Sequence, residues 1–179
     1  MCHGDVVEQV VRRVHAVDCL ICGHTAGSDS SERSLLNSIL THNPRPAIVV
    51  PDAPFAGHTI MVAYDGSFQS SRALREFAIS DLANARNVAV VSLHKDIREA
   101  SRLADEAVAL LKRHEIEAVP YASLLSGKIG HQLLAEAKRL DAGLLVMGAF
   151  SHHTVRAFLF GSATSEILDT LPIPVFLDH

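Results

Sequence analysis

From residue 58 onward the chain alternates strand-type and helix-type segments, five strands in all, and this alternation limits its fold more than any other feature. Residues 58–64 form a short apolar run closed by Asp65-Gly66-Ser67, and residues 87–94 carry the β-branched run Val88-Ala89-Val90-Val91. Apolar runs of this length between turn residues are the pattern of strands buried on both faces. Between them Ala73, Leu74, Phe77 and Ala78 share one helical face, with Ser70 or Ser71 placed to cap the helix. A second helical stripe holds Ala100, Leu103, Ala104, Ala107, Leu110 and Leu111, and residues 116–124 return to a strand pattern. After Gly127 a third helix points Ile129, Leu133, Leu134 and Ala137 inward. Leu144-Leu145-Val146-Met147 is the fourth buried strand, a helix follows from about Ser162 to Thr170, and residues 174–177 make the last strand. The expected fold is α/β, a five-stranded parallel sheet with helices on both faces and right-handed crossovers.

Open sheets of this kind bind ligands beyond the carboxyl ends of their strands. Two loops fall there. One is Asp65-Gly66-Ser67; the other begins Gly148-Ala149-Phe150-Ser151, continues through residues 152–160 and ends Gly161-Ser162-Ala163-Thr164. Glycine has no Cβ, so backbone N–H groups can approach an anion closely, and Ser162 and Thr164 open a helix whose positive end favours negative charge. The pairing points to a phosphate-bearing ligand, and so to a nucleotide.

The first 57 residues hold a fainter copy of the last third of this unit. Val6, Val7, Val10, Val11 and Val14 form a helical stripe, Asp18-Cys19-Leu20-Ile21-Cys22-Gly23 parallels the segment ending at Gly148, and Pro46-Ala47-Ile48-Val49-Val50-Pro51 parallels the final strand. Two units are therefore expected, a partial α-β-α-β repeat with its linker at 1–57 and a complete domain at 58–179. The copy has no Gly-Ser at the matching distance and carries Glu32 instead, so it is expected to bind no nucleotide. Its first strand lacks neighbours, and an open strand edge calls for a cover.

The formal net charge is −4 and the 16 Lys and Arg residues are scattered, which argues against nucleic acid as a partner. No apolar run reaches the length of a membrane span. Three cysteines do not make a disulfide framework and fit a reducing compartment, the cytoplasm. Cys19 and Cys22 point to opposite faces of a strand pattern with no second ligand pair, and the 11 histidines are dispersed, so no metal site is expected. Nor do the residues assemble a catalytic set, and no dedicated activity is expected.

Together, the strand ending in Asp65-Gly66-Ser67, the strand ending in Met147-Gly148, the glycine loop and the terminal Pro-Ile-Pro-Val strand resemble the universal stress protein family. ATP-binding members carry Gly, two residues, Gly, nine residues, Gly and then Ser or Thr. Gly148 matches the first glycine, Gly161 the third and Ser162 the hydroxyl, while Ser151 stands in place of the second. The resemblance implies that Asp65 lies beside the ribose and that Ala63 and Val91 bracket adenine. It further implies that Met147 and Gly148 floor the ribose and phosphates, with Ser162, Ala163 and Thr164 as donors. His152, His153 and Arg156 would add positive charge. The ligand it implies is ATP, with or without Mg²⁺, held as a regulatory ligand and hydrolysed slowly at most, for no Walker-type lysine or arginine finger is evident. A second reading is a nucleotide-free interaction module in which Ser151 closes the site. Family members pair through their last strands, so residues 47–50 can pair with 175–178 within one chain or between chains. A homodimer or higher oligomer is the expected assembly.

Overall fold

The computed structural model describes residues 6–52, 54–84, 86–149 and 162–178. Within them the chain runs α1 (Val6–Val14), β1 (Leu20–His24), α2 (Ser30–His42), β2 (Ala47–Pro51), β3 (Thr59–Ala63), α3 (Phe68–Ile79), β4 (Asn87–His94), α4 (Ile97–Arg113), β5 (Ala118–Leu124), α5 (Ile129–Arg139), β6 (Ala142–Gly148), α6 (Ser162–Thr170) and β7 (Val175–Asp178).

The expected five-stranded parallel sheet is instead a seven-stranded mixed sheet in the order β1-β2-β7-β6-β3-β4-β5. The five strands from β7 to β5 are parallel to one another, as the alternation implied. The difference lies at the β7 edge, where β2 pairs antiparallel, Ala47 opposite Leu177, Ile48 opposite Phe176 and Val49 opposite Val175. An edge strand carries unpaired N–H and C=O groups, and β2 satisfies those of β7 from within the same chain. The joint is also ion-paired, Arg33 of α2 to Asp169 of α6 at 2.8 Å.

Strand alternation sends successive side chains to opposite faces and divides the core in two. On one face Met61, Val91, Leu145 and Val49 pack with Leu36 and Leu40 of α2, Leu133 of α5 and Ile167 of α6. On the other Ile60, Val62, Val90 and Val146 pack with Leu74 and Phe77 of α3 and Leu103 and Leu111 of α4. Phe77 meets Phe176 edge-on, 6.4 Å between ring centres, which ties α3 to β7. In β5 Pro120 lacks a ladder donor, a residue suited only to an edge, and β5 is one.

Helix α3 begins earlier than its serines suggested. The cap is Ser67, whose Oγ accepts from the Ser70 N–H at 3.2 Å, rather than Ser70 or Ser71. Gly66 makes this possible: at φ +76 the chain turns sharply out of β3 and brings Ser67 to the helix start. The remaining stripes bury most of the residues spaced for it, but Val7, Val10, Val11, Ala78, Leu110 and Leu134 are half-buried, and Val6 and Ile129 are exposed.

Candidate functional site

The carboxyl ends of β3, β4 and β6 and the amino ends of α3, α5 and α6 border a cavity of about 230 Å³. Seven residues singled out in the sequence line it together: Ala63, Asp65, Val91, Met147, Gly148, Ala163 and Thr164. Ser162 opens α6 beside them. Ser151, Gly161, His152, His153 and Arg156 lie outside the described residues. The lining also includes residues that sequence reasoning missed: Tyr64, Ser67, Gln69, Ser70, Leu93, Ile129 and Leu133. Leu93 had a usable signal, being two residues beyond Val91 and so on the same strand face. Ile129 and Leu133 were legible only as an inward stripe.

The wall is apolar on the sheet and α5 side and polar where α3 and α6 begin. Asp65 is the one charged side chain among the described lining residues. Desolvation at the cavity wall would by itself raise its pKa, but hydrogen bonds from Ser67 and Ser70 and from backbone N–H groups outweigh this and hold it below the ordinary value of 3.8. One of these bonds, from the Ser67 N–H to Asp65 Oδ1, is 2.9 Å. Asp65 therefore shapes its own turn as well as facing the cavity.

A carboxylate whose native pKa lies below its unfolded value contributes stability that is complete above the unfolded value and fades as pH falls through the native one. The denaturant midpoint of Asp65→Asn is accordingly expected to depend less on pH than that of the wild type below pH 3.8. Parallel midpoint curves for the two proteins would contradict this.

Behind the wall, the Tyr64 hydroxyl donates to Glu106 Oε1 at 3.3 Å, and the fully buried Ser92 hydroxyl donates to the Tyr64 carbonyl at 2.7 Å. Burial, assisted by Glu106 against a bond with Ser71, pushes the Tyr64 phenol up. Together these bonds fix the end of β3 from which Asp65 projects. Gly148 is required for a different reason from anion approach. A Cβ there would run into the backbone of Gln69 and Ser70, with Gln69 O at 2.8 Å, so β6 and the first turn of α3 touch without a side chain between them. The end of β6 and the start of α3 are thus packed directly on each other.

The amino-terminal segment, residues 6–52, forms no equivalent cradle among the described residues. Its loop from β1 to α2 is short, and the Asp29 carboxylate accepts from the Ser31 and Glu32 N–H groups at 2.8 and 2.9 Å. The chain's own anion occupies the helix end where a phosphate would bind. Glu32, the acid foreseen there, stands in the first turn of α2, and Asp29 adds a second in direct contact with the helix N–H groups. Cys19 and Cys22 are free, and burial raises both thiols. No cluster of three metal-ligating side chains occurs among the described residues. No described helix is long and apolar enough to cross a membrane.

Comparison with known proteins gives a consistent set of likenesses. A family model described as the universal stress protein family matches residues 57–179. A universal stress protein of Synechocystis sp. is 25% identical over 140 residues, covering 78% of this chain and 49% of its own length, so the chain spans about half of that relative. The crystal structure of a universal stress protein from Archaeoglobus fulgidus superposes with a TM-score of 0.75 at 19% identity, over 97% of this chain and 65% of its own. A structure of the universal stress protein from Archaeoglobus fulgidus in complex with dAMP superposes at a TM-score of 0.54 and 22% identity, over 66% of this chain and 95% of its own. At these identities the solved structures carry the fold.

Proposed function

The chain belongs to the universal stress protein family, and from that premise we propose that its cavity binds an adenine nucleotide, ATP with or without Mg²⁺, as a regulatory ligand. One observation carries the reading: Asp65, Val91, Met147, Gly148, Ala163 and Thr164, far apart in the chain, line one cavity at the carboxyl edge of the sheet. Apolar Ala63, Val91, Leu93 and Leu133 suit an adenine ring, which is bound largely by flat apolar contact. Asp65 accepts from the ribose hydroxyls. The amino end of α6, with Ser162, Ala163 and Thr164, offers donors and a positive dipole end to phosphate. Ser151 and Gly161 complete the phosphate contacts, the serine as a hydroxyl donor. That a family member was solved with dAMP supports an adenine ligand.

In this reading residues 58–179 are the binding domain and 1–57 a partial repeat that contributes packing. The half-buried thiols of Cys19 and Cys22 suit a reducing compartment, the cytoplasm. The ligand acts by being bound, and hydrolysis is slow at most, since no Walker-type lysine or arginine finger is evident in the sequence. The β7 edge is filled by β2, so self-association of the chain uses another surface than its last strand.

Equilibrium titration with a fluorescent adenine nucleotide tests the proposal. Wild type is expected to bind, and Ala163→Glu, which places a carboxylate at the mouth of α6, to bind at least about tenfold more weakly through repulsion of phosphate. Equal and negligible binding by both proteins favours the nucleotide-free module instead, the reading suggested by Ser151 in place of glycine.

A further inference from the structure

Among the helices that open on the candidate cavity, α5 and α6 touch near their starts. A Cβ at Gly130 would lie 2.7 Å from Glu166 Cβ and 3.0 Å from the Ala163 carbonyl oxygen, so the two helices meet there with no side chain of α5 between them. Ile129 and Ala163, one from each helix, both line the cavity. The contact is therefore part of the cavity rim on the side where α6 begins.

This rim carries a charged pair that the ligand contacts described above do not use. Lys128, the residue that precedes α5, places its Nζ 3.4 Å from Glu166 Oε1. The two partners differ in freedom. The Glu166 side chain is 19% exposed and packs against Gly130, whereas that of Lys128 is 67% exposed. A lysine ammonium is a point charge on a flexible four-carbon stem, and an ion pair open to water holds it weakly. Glu166 stands four residues beyond Ser162, the first residue of α6, which is about 6 Å along the helix. The opening of α6 is thus within the sweep of the lysine that now faces Glu166.

Two further features call for an anion at this place. Thr164 is 3% exposed, lines the cavity and makes no hydrogen bond to another described residue. A hydroxyl so buried normally has a partner, and one that faces a cavity points to a bound polar group. In addition, no side chain caps the amino end of α5.

We propose that Lys128 is a specificity-determining residue of this cavity, its ammonium leaving Glu166 on binding to pair with the terminal phosphoryl group of the ligand. The cavity thereby selects nucleoside polyphosphates over the bare nucleoside. Glu166 opposes them, both as a competitor for Lys128 and as a like charge. The inference rests on the adenine-nucleotide reading above and adds which form of the ligand is taken.

Calorimetric titration of the full chain with adenosine and with ATP, in the absence of divalent cations, tests it. Lys128→Gln is expected to weaken ATP binding at least about fivefold and to leave adenosine within about twofold. Glu166→Gln, which keeps the shape of its side chain, is expected to tighten ATP binding about threefold, and to lose most of that gain when combined with Lys128→Gln. Lys128→Arg is expected to retain ATP affinity, and both lysine variants to melt within about 2 °C of wild type without ligand. A wild type that binds ATP while Lys128→Gln binds it equally well overturns this inference alone, and so does equal weakening of adenosine and ATP. A wild type that binds neither ligand overturns the adenine reading and this inference with it.

Discussion

Gly148→Ala is expected to destabilise the protein by about 3 kcal/mol, the upper part of the usual range for overpacking, and to lower its melting temperature by roughly 6–12 °C. The added methyl would meet backbone atoms of Gln69 and Ser70, which cannot rotate away as a side chain can. Relief requires α3 to move off β6, and α3 carries Leu74 and Phe77 in the core. The same movement displaces Ser67 and Ser70 from Asp65, so the nucleotide affinity proposed above is expected to fall with stability. Gly23→Ala is the matched control. It occupies the equivalent strand position with open space around it, and its effect is expected to stay within about 0.5 kcal/mol. Thermal denaturation of both variants checks the pair, and similar losses from both would show that strand propensity, not the contact with α3, governs these positions.

Arg72→Met is expected to cost about 2–3 kcal/mol, and Asp178→Asn markedly less. The Asp178 side chain is 1% exposed and sits 3.2 Å from Arg72 Nε, which remains 44% exposed. Removing the arginine leaves a buried carboxylate without its cation, while removing the aspartate leaves a guanidinium that water can still solvate. Breaking a fully buried pair costs about 3–5 kcal/mol, and solvent access at Arg72 reduces the loss here. The pair stands where β7 ends beside Gly148, and the Ala149 N–H donates to the Asp178 carbonyl at 2.8 Å. Loosening it therefore also loosens the strand end from which the glycine loop departs. Denaturant unfolding of the two single variants and the double variant separates the contributions, with equal single losses contradicting the asymmetry.

Much of the carboxyl-terminal fold was legible because its signals are local. The β-branched run placed β4 at Asn87–His94, and the start and stop of α6 at Ser162 and Thr170 matched the hydroxyl-rich opening and its apolar spacing. The convergence of Asp65 with Gly148 followed from a general rule about parallel sheets, since each lies at or just beyond the carboxyl end of a strand. The cap of α3 was misplaced by three residues or more, because Gly66 sets the turn and its positive φ has no trace in apolar periodicity. Ile129, Leu133 and Leu93 escaped as lining residues for a related reason. Period identifies the inward side of a helix or strand, but whether that side meets another side chain or a cavity depends on elements distant in sequence.

What the sequence by itself determined is the set of elements, their faces, the family resemblance and the two loops that carry the candidate ligand chemistry. These rest on backbone preferences and on short-range spacing of apolar and glycine residues. Only the tertiary structure decided the strand order, the antiparallel joint of β2 to β7, and what each glycine is for. Gly148 and Gly23 occupy matching positions in matching strands, yet one is pressed against α3 and the other faces open space. The distinction comes from long-range packing: close contact is a property of two segments at once, and neither segment's own residues specify its partner.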